Sequence, residues 1–195
     1  MDSFAFMALG THWEVLIDGE ISSEHVRESI ETVALFERRF SRFLEGSEVN
    51  QFRSTPEGLY EVSDDLAKLF SASKVLRECT QGSFDPCAGA ILESAGYGIS
   101  HEGGHDGSRV TPGKPDVVSW SISGKIVTIS GPTQFDFGGI GKGYVIDRLA
   151  EKLRTFRYEH FLINGGGDIY ATCKRDGSAF HAALEVPGDS STVFD

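Results

Sequence analysis

Apolar residues in this chain recur with two periods. Over 24–40, Val26, Ile30, Val33, Phe36 and Phe40 return every three or four positions, while Glu24, Arg27 and Glu28 lie elsewhere on the wheel. That spacing predicts an amphipathic helix with Ser22 or Ser23 as its cap. A second helix is predicted over 64–80, with Ser63 as cap, Leu66, Leu69, Phe70, Ser73 and Leu76 as the inner stripe, and Gly82 as the stop. A third covers 142–155, where Tyr144, Val145, Leu149 and Leu153 are the apolar positions behind a glycine cluster at 138–143. Loose alternation predicts a first strand at 11–17, and short apolar runs predict strands at 161–163 and 169–171, on either side of Gly165-Gly166-Gly167. The runs 116–122 and 125–130 flank Ser123-Gly124, which predicts a hairpin with a two-residue turn. A last strand is predicted over 180–186.

Two stretches interrupt these periods. Gly46, Pro56 and Gly58 make 41–58 a loop or short irregular structure. From Gly82 to Pro115, glycines at 96, 98, 103, 104 and 107 mark a long surface excursion or a site-forming segment. No fixed repeat or low-complexity tract is present. Helices and strands alternate, yet at least one hairpin occurs, so the predicted class is mixed α+β.

Composition narrows the function classes. With 195 residues, 39% hydrophobic and 11% aromatic, the chain can bury the core of one ordinary domain. Its 18 Lys+Arg against 29 Asp+Glu give a net charge of −11, which argues against gripping nucleic acid or anionic lipid through a broad basic face. No apolar run approaches the roughly 20 residues of a spanning helix. The segment MDSFAFMALGTHWEV has no positive n-region, long apolar stretch or small-residue cleavage site, so a soluble, cytoplasmic chain is expected. Cys79, Cys87 and Cys173 lack C-x-x-C spacing. They read as buried free thiols in a reducing compartment rather than a zinc knuckle or disulfide framework. His101 and His105 have i, i+4 spacing, but the glycines of HEGGHDG disfavour the helix that would align them.

The chemistry concentrates in a few segments. Asp136-Phe137-Gly138-Gly139-Ile140-Gly141-Lys142-Gly143 opens a helix. Its glycines let backbone approach a ligand, its free N–H groups favour an anion, and Lys142 adds a charge. Either this is a phosphate or pyrophosphate site, or it is a tight strand-to-helix turn with a solvated lysine. It is not a P-loop, because Asp136 stands where the first glycine belongs and Gly143 where Ser/Thr belongs. Nor is it a dinucleotide fingerprint, because Gly139-Ile140-Gly141 continues to Tyr144. In Gly82-Ser83-Phe84-Asp85-Pro86 the proline forces Asp85 to be extended. Its carboxylate could serve a ligand, or simply close a helix C-terminal turn with an Asx-type bond. Asn164-Gly165-Gly166-Gly167-Asp168 marks crowded backbone between strands, and Phe43 is core filler or an exposed aromatic.

In this order, the segments resemble the ApbE family, the flavin transferases also called FAD:protein FMN transferases. The matching pieces are Leu9–Val15, Phe40-Ser41-Arg42-Phe43 with Ser47–Phe52, Gly82–Pro86, Asp136–Asp147 and Leu162–Ile169. The resemblance implies a single T-fold-like α+β domain over 1–195, with mixed sheets packed with helices. It implies FAD as substrate, Mg²⁺ assisting cleavage of its pyrophosphate, and transfer of FMN to a Thr or Ser hydroxyl of an acceptor flavoprotein. By position, it implies Leu9, Phe43, Ser83, Phe84, Asp85, Asp136 and Lys142 as FAD contacts, and Gly139 as a metal ligand through its carbonyl. Leu9 stands where the family usually has Met. Members are longer, often exported or membrane-anchored, and carry C-terminal Ser-Gly-Asp and His-x-x-Asp-Pro segments and further magnesium ligands. This sequence is therefore expected to be a C-terminally truncated member with no catalytic base assignable. Its alternative roles are an incomplete FAD-binding homologue or an FAD pyrophosphatase.

Overall fold

The structure, a computed structural model, describes residues 1–94, 119–182, 184–186 and 189–194. His101, His105 and the glycines at 96–107 lie outside the described residues. The chain divides into two compact units, one formed by Met1–Ile30 with Ile146–Asp195 and the other by Glu31–Val145. The α+β class holds, with three antiparallel sheets and four α-helices among the described residues.

The first unit contains a four-stranded sheet ordered β1 (Asp2–Ala8), β2 (Thr11–Ile17), β6 (Phe161–Gly165) and β7 (Asp168–Ala171). One face of β2 and β6 is core: Trp13, Val15, Ile17, Phe161 and Ile163 are fully buried. The alternation that predicted β2 is this buried face. β1 was missed because the exposed positions Ala5 and Met7, between Phe4, Phe6 and Ala8, are apolar too and hide its alternation. Helix α4 (Gly138–Thr155) sends Ile146, Leu149, Ala150 and Leu153 into this unit's core. Arg154 in its last turn lies over the rings of Phe161 and Tyr170, at 5.6 and 5.4 Å. The start of α1 (Ser23–Phe40) is capped by Ser22, whose Oγ accepts from the His25 N–H at 3.2 Å. The expected strand at 180–186 is shorter, β8 (Leu184–Val186), and pairs with an unforeseen β9 (Asp189–Phe194).

At one end of this sheet two tight turns lie side by side. Ala8 pairs with Thr11 across Leu9-Gly10, both at positive φ (52° and 69°). Gly165 pairs with Asp168 across Gly166-Gly167, also at positive φ (65° and 96°). Trp13 stands opposite Gly165, and a Cβ on that glycine would come within 2.8 Å of the indole. A Cβ on Gly166 would overlap Thr11, in addition to the left-handed backbone. Gly166→Ala is therefore expected to cost about 1–2 kcal/mol of stability in urea unfolding. Gly167→Ala, with open space around it, should cost less.

The second unit holds the three-stranded sheet β3 (Gly58–Glu61), β5 (Ile126–Ile129) and β4 (Trp120–Ser123). The expectation of loop or short irregular structure over 41–58 holds, with one 3-10 turn at Asn50–Arg53, whereas β3, which starts at its end, was not foreseen. Leu59 on it is 73% exposed, so the segment carries little apolar signal. The β4–β5 hairpin exists, but Ser123 pairs with Ile126, so its two-residue turn is Gly124-Lys125, one position later than predicted. Gly124, at φ 58°, occupies the turn's first position. Helix α2 (Asp64–Cys79) is capped as predicted, with Ser63 Oγ accepting from the Leu66 N–H at 3.3 Å. Leu66, Leu69, Phe70 and Ser73 are buried, whereas Leu76 is 36% exposed and not part of the stripe. A short α3 (Gly89–Ser94) follows. The core is aromatic: Phe70 meets Phe135 and Phe137 edge-to-face at 4.8 and 5.1 Å, and Phe52 meets Phe135 at 5.3 Å.

The cysteines also differ from expectation. Cys79 and Cys173 are exposed and Cys87 is half-buried. Burial and the neighbouring Asp85 charge push the Cys87 thiol up to about 12. At pH 8 iodoacetamide is expected to alkylate Cys79 and Cys173 and spare Cys87 in the folded protein, as read by peptide mass. Equal labelling of all three would contradict that environment. No described helix is long and apolar enough to cross a membrane.

Candidate functional site

The site is built on an extended segment that leads into α4. Phe135 and Phe137 are buried in the core, Asp136 between them is half-buried, and Gly138 after them is exposed. Asp136 then folds over the helix start, its Oδ1 accepting from the Gly138 N–H at 2.6 Å. The helix begins at Gly138, earlier than the predicted 142, and takes the glycines into its first turn. Ile140 and Gly141 donate their N–H groups to the Phe137 carbonyl at 3.0 and 2.7 Å. The exposed Gly139 N–H has no partner among the described residues. Lys142 is half-buried within the same opening turns.

The glycines have distinct reasons. A Cβ on Gly141 would sit 3.4 Å from Phe36 of α1, so this face of α4 packs closely on that ring. A Cβ on Gly139 would approach Phe84 to 3.2 Å, which places the Ser83–Asp85 turn against the helix start. Tyr144 stands over Phe36 at 5.8 Å and donates to Asp65 Oδ1 at 2.7 Å. The other Asp65 oxygen pairs with Arg39 at 2.7 Å, and Arg39 also pairs with Glu48 at 2.7 Å. Burial works against the Arg39 charge, but its hydrogen bonds to Glu48 and Asp65 and their negative charges outweigh it and raise its pKa above the usual arginine value. This network ties α1, the 41–50 loop and α2 to the opening turns of α4.

The Ser83–Pro86 turn reaches the same place. Gln81 and Gly82 end α2 at positive φ (52° and 83°), and the Gly82 N–H donates to the Arg77 carbonyl at 2.9 Å. Asp85 is extended, as Pro86 requires. Its Oδ1 accepts from the Cys87 N–H at 3.0 Å, the Asx-type bond, and lies 3.4 Å from the Trp120 indole nitrogen. Its Oδ2 pairs with Arg77 at 2.9 Å. The Asp136 N–H then donates to the Pro86 carbonyl at 2.7 Å, which locks the two sequence segments together.

The Ser41–Phe52 loop completes this unit's cluster. Asn50 Nδ2 donates to the carbonyls of Arg42 and Leu44 at 2.9 and 2.6 Å. Arg42 emerges from that loop with a side chain only 5% exposed and sets Nε 2.6 Å from Asp136 Oδ2. That nitrogen is off the hydrogen-bond line, so the contact is an ion pair rather than an aligned hydrogen bond. The guanidinium carbon lies 4.1 Å from the centre of the Phe43 ring.

Of the residues singled out from sequence, Phe43, Ser83, Phe84, Asp85, Asp136, Gly139 and Lys142 fall in the Glu31–Val145 unit. Phe84 meets Gly139, Pro86 meets Asp136, and Phe43 is joined to Asp136 through Arg42. Leu9 lies in the other unit, where its turn adjoins Gly166, so the 9–15 and 162–169 segments meet there. Sequence reasoning missed Arg42, Arg77, Asn50 and the Arg39–Asp65–Tyr144 network. The basic residue wedged before Phe43 was the one available signal.

The described residues of this cluster do not by themselves complete a magnesium site. No three His, Cys, Asp or Glu side chains converge among the described residues. Both Asp136 oxygens are engaged, by the Gly138 N–H and by Arg42, so among the residues singled out the Gly139 carbonyl stands as the expected ligand without a neighbouring carboxylate cluster. Mg²⁺ prefers six oxygens including carboxylates.

Similarity to known proteins sharpens this geometry. The model of the ApbE family matches residues 9–194. The chain belongs to the ApbE family. An FAD:protein FMN transferase of Haemophilus influenzae is 26% identical over 95% of the chain, and one of Rhodobacter capsulatus is 25% identical over 69%. The chain spans 58% and 27% of the lengths of those two relatives. Among solved structures, apo Pseudomonas stutzeri flavinyl transferase ApbE matches 95% of the chain and 65% of its own, with TM-score 0.79 and 22% identity. An ApbE protein from Thermotoga maritima matches all of the chain and 66% of its own, with TM-score 0.80 and 22% identity. The ApbE fold thus extends through the described residues.

Proposed function

We propose that this chain binds FAD and serves FMN transfer from FAD to a Thr or Ser hydroxyl of an acceptor flavoprotein. The observation that carries the reading is the convergence of the Ser83–Pro86 turn on the first turn of α4, through the Asp136 N–H to Pro86 carbonyl bond and the Phe84–Gly139 contact. A pyrophosphate needs closely approaching backbone, an N–H donor and a cation, and the glycines of Gly138–Gly141, the exposed Gly139 N–H and Lys142 supply these. The half-buried rings of Phe43 and Phe84 suit flat heterocycles.

In this reading Asp85 and Asp136 do not hold ligand by free carboxylates. Each is satisfied inside the protein, Asp85 by Arg77 and the Cys87 N–H, Asp136 by Arg42 and the Gly138 N–H. They shape the backbone that meets FAD. In the transfer, the acceptor oxygen forms a bond to the FMN phosphorus, the pyrophosphate P–O bond breaks, and AMP leaves while the hydroxyl proton departs. The residues here bind and orient the pyrophosphate. Magnesium enters only through the family, and no step is assigned to it.

The test is incubation of the protein with FAD, Mg²⁺ and a Thr-containing acceptor peptide. Covalent flavin on the peptide with matching AMP release is expected. FAD binding with FMN and AMP release but no peptide product would instead indicate the pyrophosphatase. Absence of both products would contradict catalysis by this chain.

A further inference from the structure

Arg42 is the most buried charged side chain near the site, and none of its features is explained by solubility or surface pairing. Its guanidinium does two things at once. Its Cζ lies over the Phe43 ring, 4.1 Å from the centroid, and its Nε stands 2.6 Å from Asp136 Oδ2. Asp136 in turn holds the Gly138 N–H at 2.6 Å, which sets the first turn of α4. The aromatic contact and the phosphate-facing helix start are thereby joined through one planar cation. The backbone of Arg42 is itself fixed by Asn50, and the Phe43 N–H by Ser41 Oγ at 3.2 Å.

We infer that Arg42 is a positioning residue for flavin recognition, one that acts through Phe43 on the ring and through Asp136 on the pyrophosphate. The inference rests on the FAD reading above and assigns Arg42 no contact with FAD. A ligand ring stacks only on the Phe43 face that Arg42 does not cover, so the guanidinium fixes both the tilt of the ring and the side from which flavin approaches. Lysine would preserve the charge facing Asp136 but not the guanidinium over Phe43. The two halves of the role are therefore separable.

The experiment measures binding of FAD, riboflavin and ADP by wild-type protein, Arg42→Lys, Phe43→Leu and the double variant. Arg42→Lys is expected to weaken FAD and riboflavin about tenfold while leaving ADP within about twofold of wild type. In the Phe43→Leu background Arg42→Lys should cost riboflavin nothing further, a coupling that a merely structural role would not produce. Unchanged riboflavin binding in Arg42→Lys, or an equal loss in the Phe43→Leu background, overturns the inference while wild-type FAD binding stands. A wild-type protein that binds neither FAD nor riboflavin overturns the functional reading, and this inference with it. If Arg42→Lys fails to fold, Arg42→Gln combined with Asp136→Asn removes both charges together and should show the same riboflavin loss, whose absence again refutes the role.

Discussion

Asp136→Ala is expected to destabilise the protein by about 3–5 kcal/mol and to weaken FAD binding severely. The carboxylate is only 16% exposed and faces an Arg42 side chain that is 5% exposed. Truncation leaves that guanidinium buried without its ion pair, and removing one member of a buried pair costs more than never having had the pair. It also strips the Gly138 N–H of its acceptor at the start of α4. Asp136→Asn keeps the acceptor and loses only the charge, so its cost should fall between wild type and alanine. Urea unfolding followed by fluorescence reads the effect, since Trp120 is buried in the same unit. A loss below about 1 kcal/mol for alanine would show that Arg42 does not depend on this carboxylate.

Gly89→Ala inverts a familiar sign. In a helix, glycine to alanine ordinarily gains about 1 kcal/mol. Gly89 has ordinary helical angles, φ −54° and ψ −43°, so backbone strain plays no part. The obstacle is space: a Cβ there would lie 2.5 Å from the Gln134 carbonyl oxygen and 2.8 Å from its Cγ. A backbone carbonyl cannot swing aside like a side-chain tip. The expected result is a net loss of about 2–3 kcal/mol, with weaker FAD binding as the Pro86–Asp136 link opens. A stabilised Gly89→Ala protein would mean that the two segments are not packed as described.

Much of the fold was legible because helices α1 and α2 have strong 3.6-residue stripes and serine caps. The same holds for β2 and β6, whose apolar residues fill a core. Elements without a clean apolar signature were lost. β3 shows Leu59 to solvent, and in β1 the exposed positions Ala5 and Met7 are apolar too. The α4 start was misplaced because four glycines argue against helix by propensity, whereas Phe137 and Asp136 nucleate it through bonds no local rule anticipates. Motif order singled out Ser83–Asp85 and Asp136–Lys142, which the structure brings together. It could not reveal that both aspartates are answered by arginines, because Arg42 and Asp136 come from distant parts of the chain.

The measurement that bears most directly on the site is a titration of wild-type and Lys142→Ala protein with FAD and with riboflavin, read by flavin fluorescence. If the pyrophosphate sits at the start of α4, Lys142→Ala weakens FAD by tenfold or more, on the order of a lost charge-assisted hydrogen bond, and leaves riboflavin unchanged. Equal FAD affinity in the two proteins, or a parallel loss for riboflavin, would contradict that placement.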